Sequence, residues 1–351
     1  MPDKAPETQG AGEAHRGGRL WSLLRSRLVA AVFKIALAAA ILVYLVRTDR
    51  LNFSTFHGPQ VSPLWIAVSV LVTLPSLAIV SWRFWIILGA LGLPASFGRA
   101  LQWTMVGEFF NVAMPGATGG DVIKAVYLAR AYGPGRRSVA VLGVLLDRVV
   151  GLFGLFCFAL LVCLAGGHAI EDNPRLTGLT RVLALVCAVG IAAFFVVVSR
   201  AVEESRRRQA LVARLPMGEK LEKVYRGLAG LRRRPGTLAL ILGLSLINHA
   251  FWAVSLLALS RGLGMDFSLL DGLVVIPLAL FLNTFGVAGG FGVGEAAFEA
   301  LFTSMLGTGR GVGAGLAFAY HVLTAALRFC AGLPFYIAGR APSRRPTEPA
   351  T

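Results

Sequence analysis

The unbroken apolar runs of this chain limit what it can fold into before any other feature does. Six are near the roughly 20 residues a helix needs to cross a hydrocarbon layer. They lie at about 28–46, 64–90, 138–165, 179–198, 237–259 and 311–338. A chain that is 56% hydrophobic and 15% charged has too little polar surface to be a water-soluble protein of this length. Within lipid the backbone must satisfy its own hydrogen bonds, and continuous runs of this length do so as helices. The expectation is an all-α, polytopic membrane protein with six full transmembrane helices. The first run follows a basic tail, residues 1–27, and is too long for a leader core, so it reads as a retained signal anchor.

Two glycine-broken segments, 95–133 and 268–306, interrupt the series. Each arm is about a dozen to 17 residues, short for a crossing. Each segment is therefore expected to enter and leave on one side as a re-entrant helical hairpin, a shape tolerated where it is buried or lines a cavity. The expected hinges are Pro115, Gly116, Gly119 and Gly120 in the first, and Gly289, Gly290 and Gly292 in the second.

With 34 basic and 18 acidic residues the chain carries a net +16, which could suggest nucleic acid as a partner. The position of the charges argues otherwise. With the N-terminus inside and both hairpins re-entrant, Lys and Arg concentrate on the tail 1–27, the first hairpin, the connector 199–236 and the tail 339–351. Arg47, Arg50, Arg175, Arg261 and Arg310 are left scattered outside. That is the positive-inside pattern. The expectation is that both termini are cytoplasmic. Anionic inner-leaflet lipids are expected partners, attracting each well-placed cation by about 1 kcal/mol. Segment 209–231 reads either as an interfacial amphipathic helix, with Leu211, Leu215, Leu221, Val224 and Leu228 on one stripe, or as a solvated connector.

The broken segments resemble each other. Glu108–Ala125 reads EFFNVAMPGATGGDVIKA and Phe281–Ala297 reads FLNTFGVAGGFGVGEAA, so that Asn111 aligns with Asn283 and Asp121 with Glu295. Each half, 28–165 and 179–338, runs span, span, broken hairpin, span. The first would start inside and the second outside, which makes an inverted repeat, a recurring transporter design.

Charges inside a membrane cost at least about 2.5–3.5 kcal/mol, so they face partners or a wet cavity. Arg83, Glu108, Asp121, Lys124, Asp147, Arg148, Glu295 and Arg328 are in this position, with Asn111 and Asn283 beside the breaks, and these ten form the candidate substrate site. Asp147 and Arg148 are adjacent on a helix, point to different faces and each need a partner on another helix. Arg83 and Arg328 have no carboxylate nearby in sequence, which favours contact with substrate; Lys34 is expected to snorkel to the inner surface. Glu108 and Asn111 share a helix face towards the break. The helix that opens after Gly119 and Gly120 would aim free N–H groups at the hairpin tip, suited to an anionic head group. Asp121 competes there: it could cap that dipole, hold a cation or amine, or neutralise an Arg.

Other chemistry finds no support. Cys157, Cys163, Cys187 and Cys330 lack metal or disulfide-framework spacing; His168, His249 and His321 are isolated; no metal or cofactor is expected. GGFGVGE and GRGVGAG follow no strand of a nucleotide fold, and neither a Walker A sequence nor a nucleophile elbow occurs. The Gly143/Gly151/Gly154 and Gly311/Gly315 spacings suit close helix packing in lipid.

On WRFW with Arg83, on GEFFNVAMPGATGGDVIKA with Asn111, Pro115, Gly120, Asp121 and Lys124, on the Asp147–Arg148 pair, on GGFGVGE ending in Glu295 and on Arg328, residues 30–340 resemble the lysylphosphatidylglycerol synthase transmembrane-region family of flippase-like membrane proteins. The chain departs from that family's pattern at Lys124, where Arg is frequent, at Gly151, where an acid is frequent, and at Val287 or Ala288, where a proline is frequent. The resemblance implies lipid translocation or lipid binding without the soluble aminoacyl-transferase domain. Because stand-alone members serve different lipid pathways, hopanoid-associated ones among them, it does not name the lipid. The leading expectation is a non-enzymatic translocator, in a bacterial inner membrane, of a membrane lipid or lipid-linked substrate with a polar, phosphate-bearing head group. A lipid-modifying enzyme with Glu108, Asp121 or Glu295 as general base, and a scaffold for lipid synthesis, are the alternatives.

Overall fold

The structure, a computed structural model, describes residues 60–113, 119–165, 174–197, 234–265, 267–284 and 292–338 with a few isolated positions. Among them are nine helices and no strand: α1 (Pro63–Ala90), α2 (Phe97–Ala113), α3 (Gly119–Tyr132), α4 (Arg137–Ala165), α5 (Pro174–Val197), α6 (Pro235–Gly262), α7 (Leu269–Thr284), α8 (Val293–Leu306) and α9 (Val312–Ala338). By length and composition α1, α4, α6 and α9 can each cross a membrane, and α5 holds a shorter apolar stretch, Thr180–Phe194. Apart from isolated positions, the 28–46 run, Lys34, both tails, the connector with its 209–231 stripe, and Pro115, Gly116, Gly289 and Gly290 lie outside the described residues.

Local signals fix the helix ends. Pro63 and Pro235 open α1 and α6, in the first turn where a missing N–H leaves no bond unmade. Gly92 and Gly264, at φ +70 and +71, end them in the left-handed conformation that glycine adopts without strain. The chain can then fold back on the last turn: Leu93 N–H donates to the Leu88 carbonyl and Met265 N–H to that of Ser260, both at 2.9 Å.

The two sets of helices share one spacing. The bounds of α1 and α6 differ by 172 residues at both ends, and those of α3 and α8 by 174. Applying the same offsets relates α2 to α7 and α4 to α9 within one residue. α1 and α6 lie antiparallel along their length. Ser62 N–H meets the Gly262 carbonyl at 2.8 Å, Ser69 and Thr73 bond Ser255 at 2.9 and 2.7 Å, and Arg83 reaches Ser245 at 2.9 Å. These contacts are reciprocal, because the 172 offset carries Thr73 to Ser245 and Arg83 to Ser255. Each hairpin packs on the last helix of the other set, α2 on α9 and α7 on α4.

Hydrogen bonds between helices in a bilayer contribute on average about 0.6 kcal/mol each, so close packing carries much of the association. Bare glycines allow it. Gly154 receives Ser245, Gly332 the backbone of Met105 and Phe109, Gly143 the side chain of Leu88, and Gly151 the guanidinium of Arg83. The Gly143/Gly151/Gly154 expectation agrees with this. The Gly311/Gly315 pair does not, since a methyl added at Gly315 would meet nothing within 4 Å; the crossing glycines of α9 are Gly313, against the Phe298 backbone, and Gly332. The outward side chains of α1 and α4, among them Leu64, Trp65, Leu71, Leu145 and Val149, are exposed and apolar, as a lipid-facing surface requires.

Candidate functional site

Each hairpin is closed by an asparagine against a glycine. α2 and α3 cross where Gly107 meets Gly120, so tightly that a methyl on Gly120 would overlap the Gly107 carbonyl oxygen and sit 2.6 Å from the Asn111 amide. Gly120 N–H donates to Asn111 Oδ1 at 2.9 Å. In the second hairpin Gly294, 174 residues on, lies against the amide of Asn283. This corrects one expectation: an N–H at the start of α3 proposed for an anion is already taken by Asn111.

Between the hairpins and α1, α4, α6 and α9 lies a cavity of about 270 Å³. Nine of the ten candidate residues line it: Arg83, Glu108, Asn111, Asp121, Lys124, Asp147, Arg148, Asn283 and Arg328. They converge from six helices, and the charged ones form three clusters. At the deepest, Arg83 Nε donates to Asp147 Oδ1 at 2.9 Å and Lys124 Nζ to Asp147 Oδ2 at 3.2 Å. Arg83 also donates to Ser245 and to the Asp147 carbonyl, and the Lys124 ammonium sits 3.4 Å from the centre of the Phe84 ring. All three charged side chains are 10% exposed or less.

The other two pairs are loose. Arg148 lies 3.8 Å from Asp121, too far for a hydrogen bond, with 45% and 28% of the two side chains exposed. Arg328 Nε is 3.1 Å from Glu108 Oε2, an ion pair by distance, yet the approach is misaligned and both atoms lack a hydrogen bond. Asp121 Oδ2, Thr104 Oγ1 and Asn248 Oδ1 are likewise buried without a hydrogen-bonding partner, and all five residues line the cavity. Buried polar atoms are seldom left so, and a cluster around one space suits a polar ligand or water. The formal charges do not cancel either. Arg83, Lys124, Arg148 and Arg328 face Glu108, Asp121 and Asp147, which leaves one positive charge.

Asp147 and Arg148 find partners on different helices, as their adjacency requires. Arg83 and Arg328, which have no carboxylate nearby in sequence, are brought by the fold to Asp147 and Glu108. Of the roles open to Asp121, neutralising an Arg is the one the geometry displays. Glu295 is not in the cavity wall. It is fully buried, its carboxylate accepting from Gly292 N–H and standing 2.9 Å from His321 Nδ1. Of the hinges, Gly119 and Gly120 open α3 and Gly292 caps α8 at φ +83. Asn248, His249, Trp252, Thr104 and Tyr320 also line the cavity. The rule used for the charges, a polar group inside an apolar run, would have found Asn248 and His249 had it been extended to uncharged residues.

Comparison with curated proteins and with solved structures returned no match. The family model of the lysylphosphatidylglycerol synthase TM region matches residues 26–332, which include every helix and cavity residue named above except the last turns of α9. The family is one of multi-pass membrane proteins linked to lipid synthesis or translocation. A match over most of the chain, on top of a helical bundle whose buried charges surround one cavity, means that this protein belongs to the lysylphosphatidylglycerol synthase transmembrane-region family.

Proposed function

We propose that the protein moves a lipid or lipid-linked precursor across the bacterial inner membrane, holding its polar, phosphate-bearing head group in the cavity and leaving its tails in the bilayer. One observation carries this reading: the cavity has a surplus of one cation and five unsatisfied polar atoms on its wall. A phosphodiester, with one negative charge, balances that surplus. It can also take up the loosely held donors of Arg148 and Arg328, since guanidinium and phosphate suit paired hydrogen bonds.

Alternating access follows from the two-part build. Antiparallel α1 and α6, with matched spacing around them, support an inverted repeat whose halves rock about that contact. At 1.5 Å per residue the 14 residues of α3 and of α8 reach about 21 Å, against a hydrocarbon core of about 30 Å, which supports re-entrant hairpins. The basic residues support cytoplasmic termini and attraction to anionic inner-leaflet lipids. No covalent step is needed, and the protein acts without being an enzyme.

The test is transfer of fluorescent phosphatidylglycerol between leaflets of phosphatidylethanolamine–phosphatidylglycerol vesicles. The wild type should exceed protein-free vesicles by at least about tenfold, and the Arg148→Ala, Arg328→Ala double variant should lose most of that, the two donors together contributing on the order of 3 kcal/mol. Equal transfer by both proteins would overturn the proposal. A covalently altered lipid that vanishes in Glu108→Gln or Asp121→Asn would replace it with the enzyme reading.

A further inference from the structure

Behind the cavity, α8 and α9 bury an acid and a base that head-group binding does not use. Glu295 has no exposed surface and His321 is 4% exposed. The imidazole bridges two groups: Nδ1 lies 2.9 Å from Glu295 Oε1, and Nε2 lies 3.1 Å from Asn283 Oδ1. Packing holds the ring in place, because a side chain on Gly294 would begin 2.7 Å from His321 Cε1. Of the three, Asn283 alone also lines the cavity.

The repeat makes the composition of this cluster informative. The 174-residue offset pairs Glu295 with Asp121 and His321 with Asp147. In the first half these carboxylates face permanently charged groups, Arg83, Lys124 and Arg148. In the second half the group facing the carboxylate is an imidazole, the side chain type whose charge changes nearest neutral pH. Other ionisable groups on the neighbouring helices are turned elsewhere. On α8, Glu299 accepts from Gly311 and Ala314 N–H at 2.8 and 3.2 Å. Glu108 on α2 faces Arg328, also on α9; His249 on α6 bonds the Gly151 carbonyl; Asp147 on α4 holds Arg83 and Lys124; Asp271 is exposed at the start of α7. On α9 itself the Tyr320 ring lies 5.6 Å from the imidazole.

We infer that Glu295, His321 and Asn283 form a proton-binding site that couples head-group movement to proton movement across the membrane. The coupling rests on the translocation reading above; the proton site does not. With both ring nitrogens donating, the imidazolium spans the Glu295 carboxylate and the Asn283 carbonyl oxygen, and the Asn283 NH₂ is turned away from the ring. Loss of the Nε2 proton leaves an acceptor there. The amide then rotates so that its NH₂ donates to Nε2 and its oxygen takes the other position. One proton therefore exchanges a donor for an acceptor on a residue of the cavity wall. An anionic head group is held in the protonated state and released in the other, so that one proton and one anion travel together.

Two measurements test this. In nanodiscs of the full chain with ¹⁵N-labelled histidine, the His321 ring of the wild type is expected to pass from two protonated nitrogens to one as the pH is raised. In Glu295→Gln, where no carboxylate faces Nδ1, the doubly protonated ring is expected to be less populated than in the wild type at the same pH. In the fluorescent phosphatidylglycerol vesicles a one-unit pH gradient should drive the probe in the direction of proton flow, up to about tenfold for one proton per lipid. His321→Gln should show no such bias, and should that variant fail to fold, the wild-type gradient response and the Glu295→Gln titration still decide. Probe transfer indifferent to the gradient, or a His321 ring that keeps one protonation form at every pH at which the protein stays folded, would overturn the proposal. Titration of His321 in a protein that moves no lipid would support the proton site while overturning the translocation reading and, with it, the coupling.

Discussion

Asp147 serves two cations, which makes stability and binding separable by substitution. Arg83 donates to one of its oxygens and Lys124 to the other, and all three are nearly buried. Asp147→Asn removes the carboxylate that both buried cations hydrogen-bond, and uncompensated buried charge costs about 3–5 kcal/mol. Lys124→Met is different in kind. Arg83 and Asp147 remain as a one-to-one pair, while the ammonium over Phe84 gives way to an apolar chain of similar length. The lost ion pair and cation–π contact, each on the order of 1–2 kcal/mol when desolvated, are offset by no longer burying an ammonium, so a net change within about 1 kcal/mol is expected. Binding should follow the opposite order for Lys124→Met. The variant takes the cavity from one surplus positive charge to none. A charge roughly 8 Å from an anion, at an effective dielectric constant near 20, contributes about 2 kcal/mol, or roughly thirty-fold in affinity. Thermal unfolding in detergent, read beside co-purified phospholipid per protein, measures both. Lys124→Met should keep the wild-type Tm within a few degrees and lose most of its lipid, whereas Asp147→Asn should lose Tm outright. If Lys124→Met fell as far in Tm as Asp147→Asn, or kept its full lipid, the surplus charge would not be what holds the ligand.

Gly120→Ala should lower stability by about 1–3 kcal/mol, because the added methyl meets backbone and a short amide with nowhere to move. Gly315→Ala, also inside a helix but facing open space, should instead raise Tm slightly, by the equivalent of about 0.5–1 kcal/mol; equal losses in both would show that the α2–α3 crossing is not the tight point. Asn111→Ala should cost about 1–2 kcal/mol and speed hydrogen exchange at the Gly120 amide, while Asn111→Asp, which still offers an acceptor, should protect that amide.

The fold was legible where it depends on local rules. Apolar length marked α1, α4, α6 and α9, and glycines with prolines marked the breaks, because a backbone in lipid has few other options. Buried charge marked the site for the same reason: nine candidates meet at one cavity. Pairing was not legible. Arg83 and Asp147 are 64 positions apart, Glu295 and His321 are 26, and Asn283 and His321 are 38, so the relation depends on how helices cross rather than on spacing in the chain. His321 looked isolated because Glu295 and Asn283 belong to other helices. The closing contact of each hairpin was hidden for a related reason: Asn111 and Asn283 were noticed for their polarity, whereas their partners Gly120 and Gly294 matter for having no side chain.

Whether two hairpins reach one cavity from opposite faces of the membrane is tested most directly by labelling single cysteines, in a background lacking Cys157, Cys163, Cys187 and Cys330, with a reagent that cannot cross the bilayer. Ser96 and Gly135 flank the first hairpin and Ser268 and Gly309 the second, all four exposed and related by the same 172 and 174 offsets. Ser96→Cys and Gly135→Cys should label from the cytoplasmic face, and Ser268→Cys and Gly309→Cys from the outer face. Labelling of the two ends of either hairpin from opposite faces would mean that it spans the membrane, and the alternating-access mechanism built on it would be wrong.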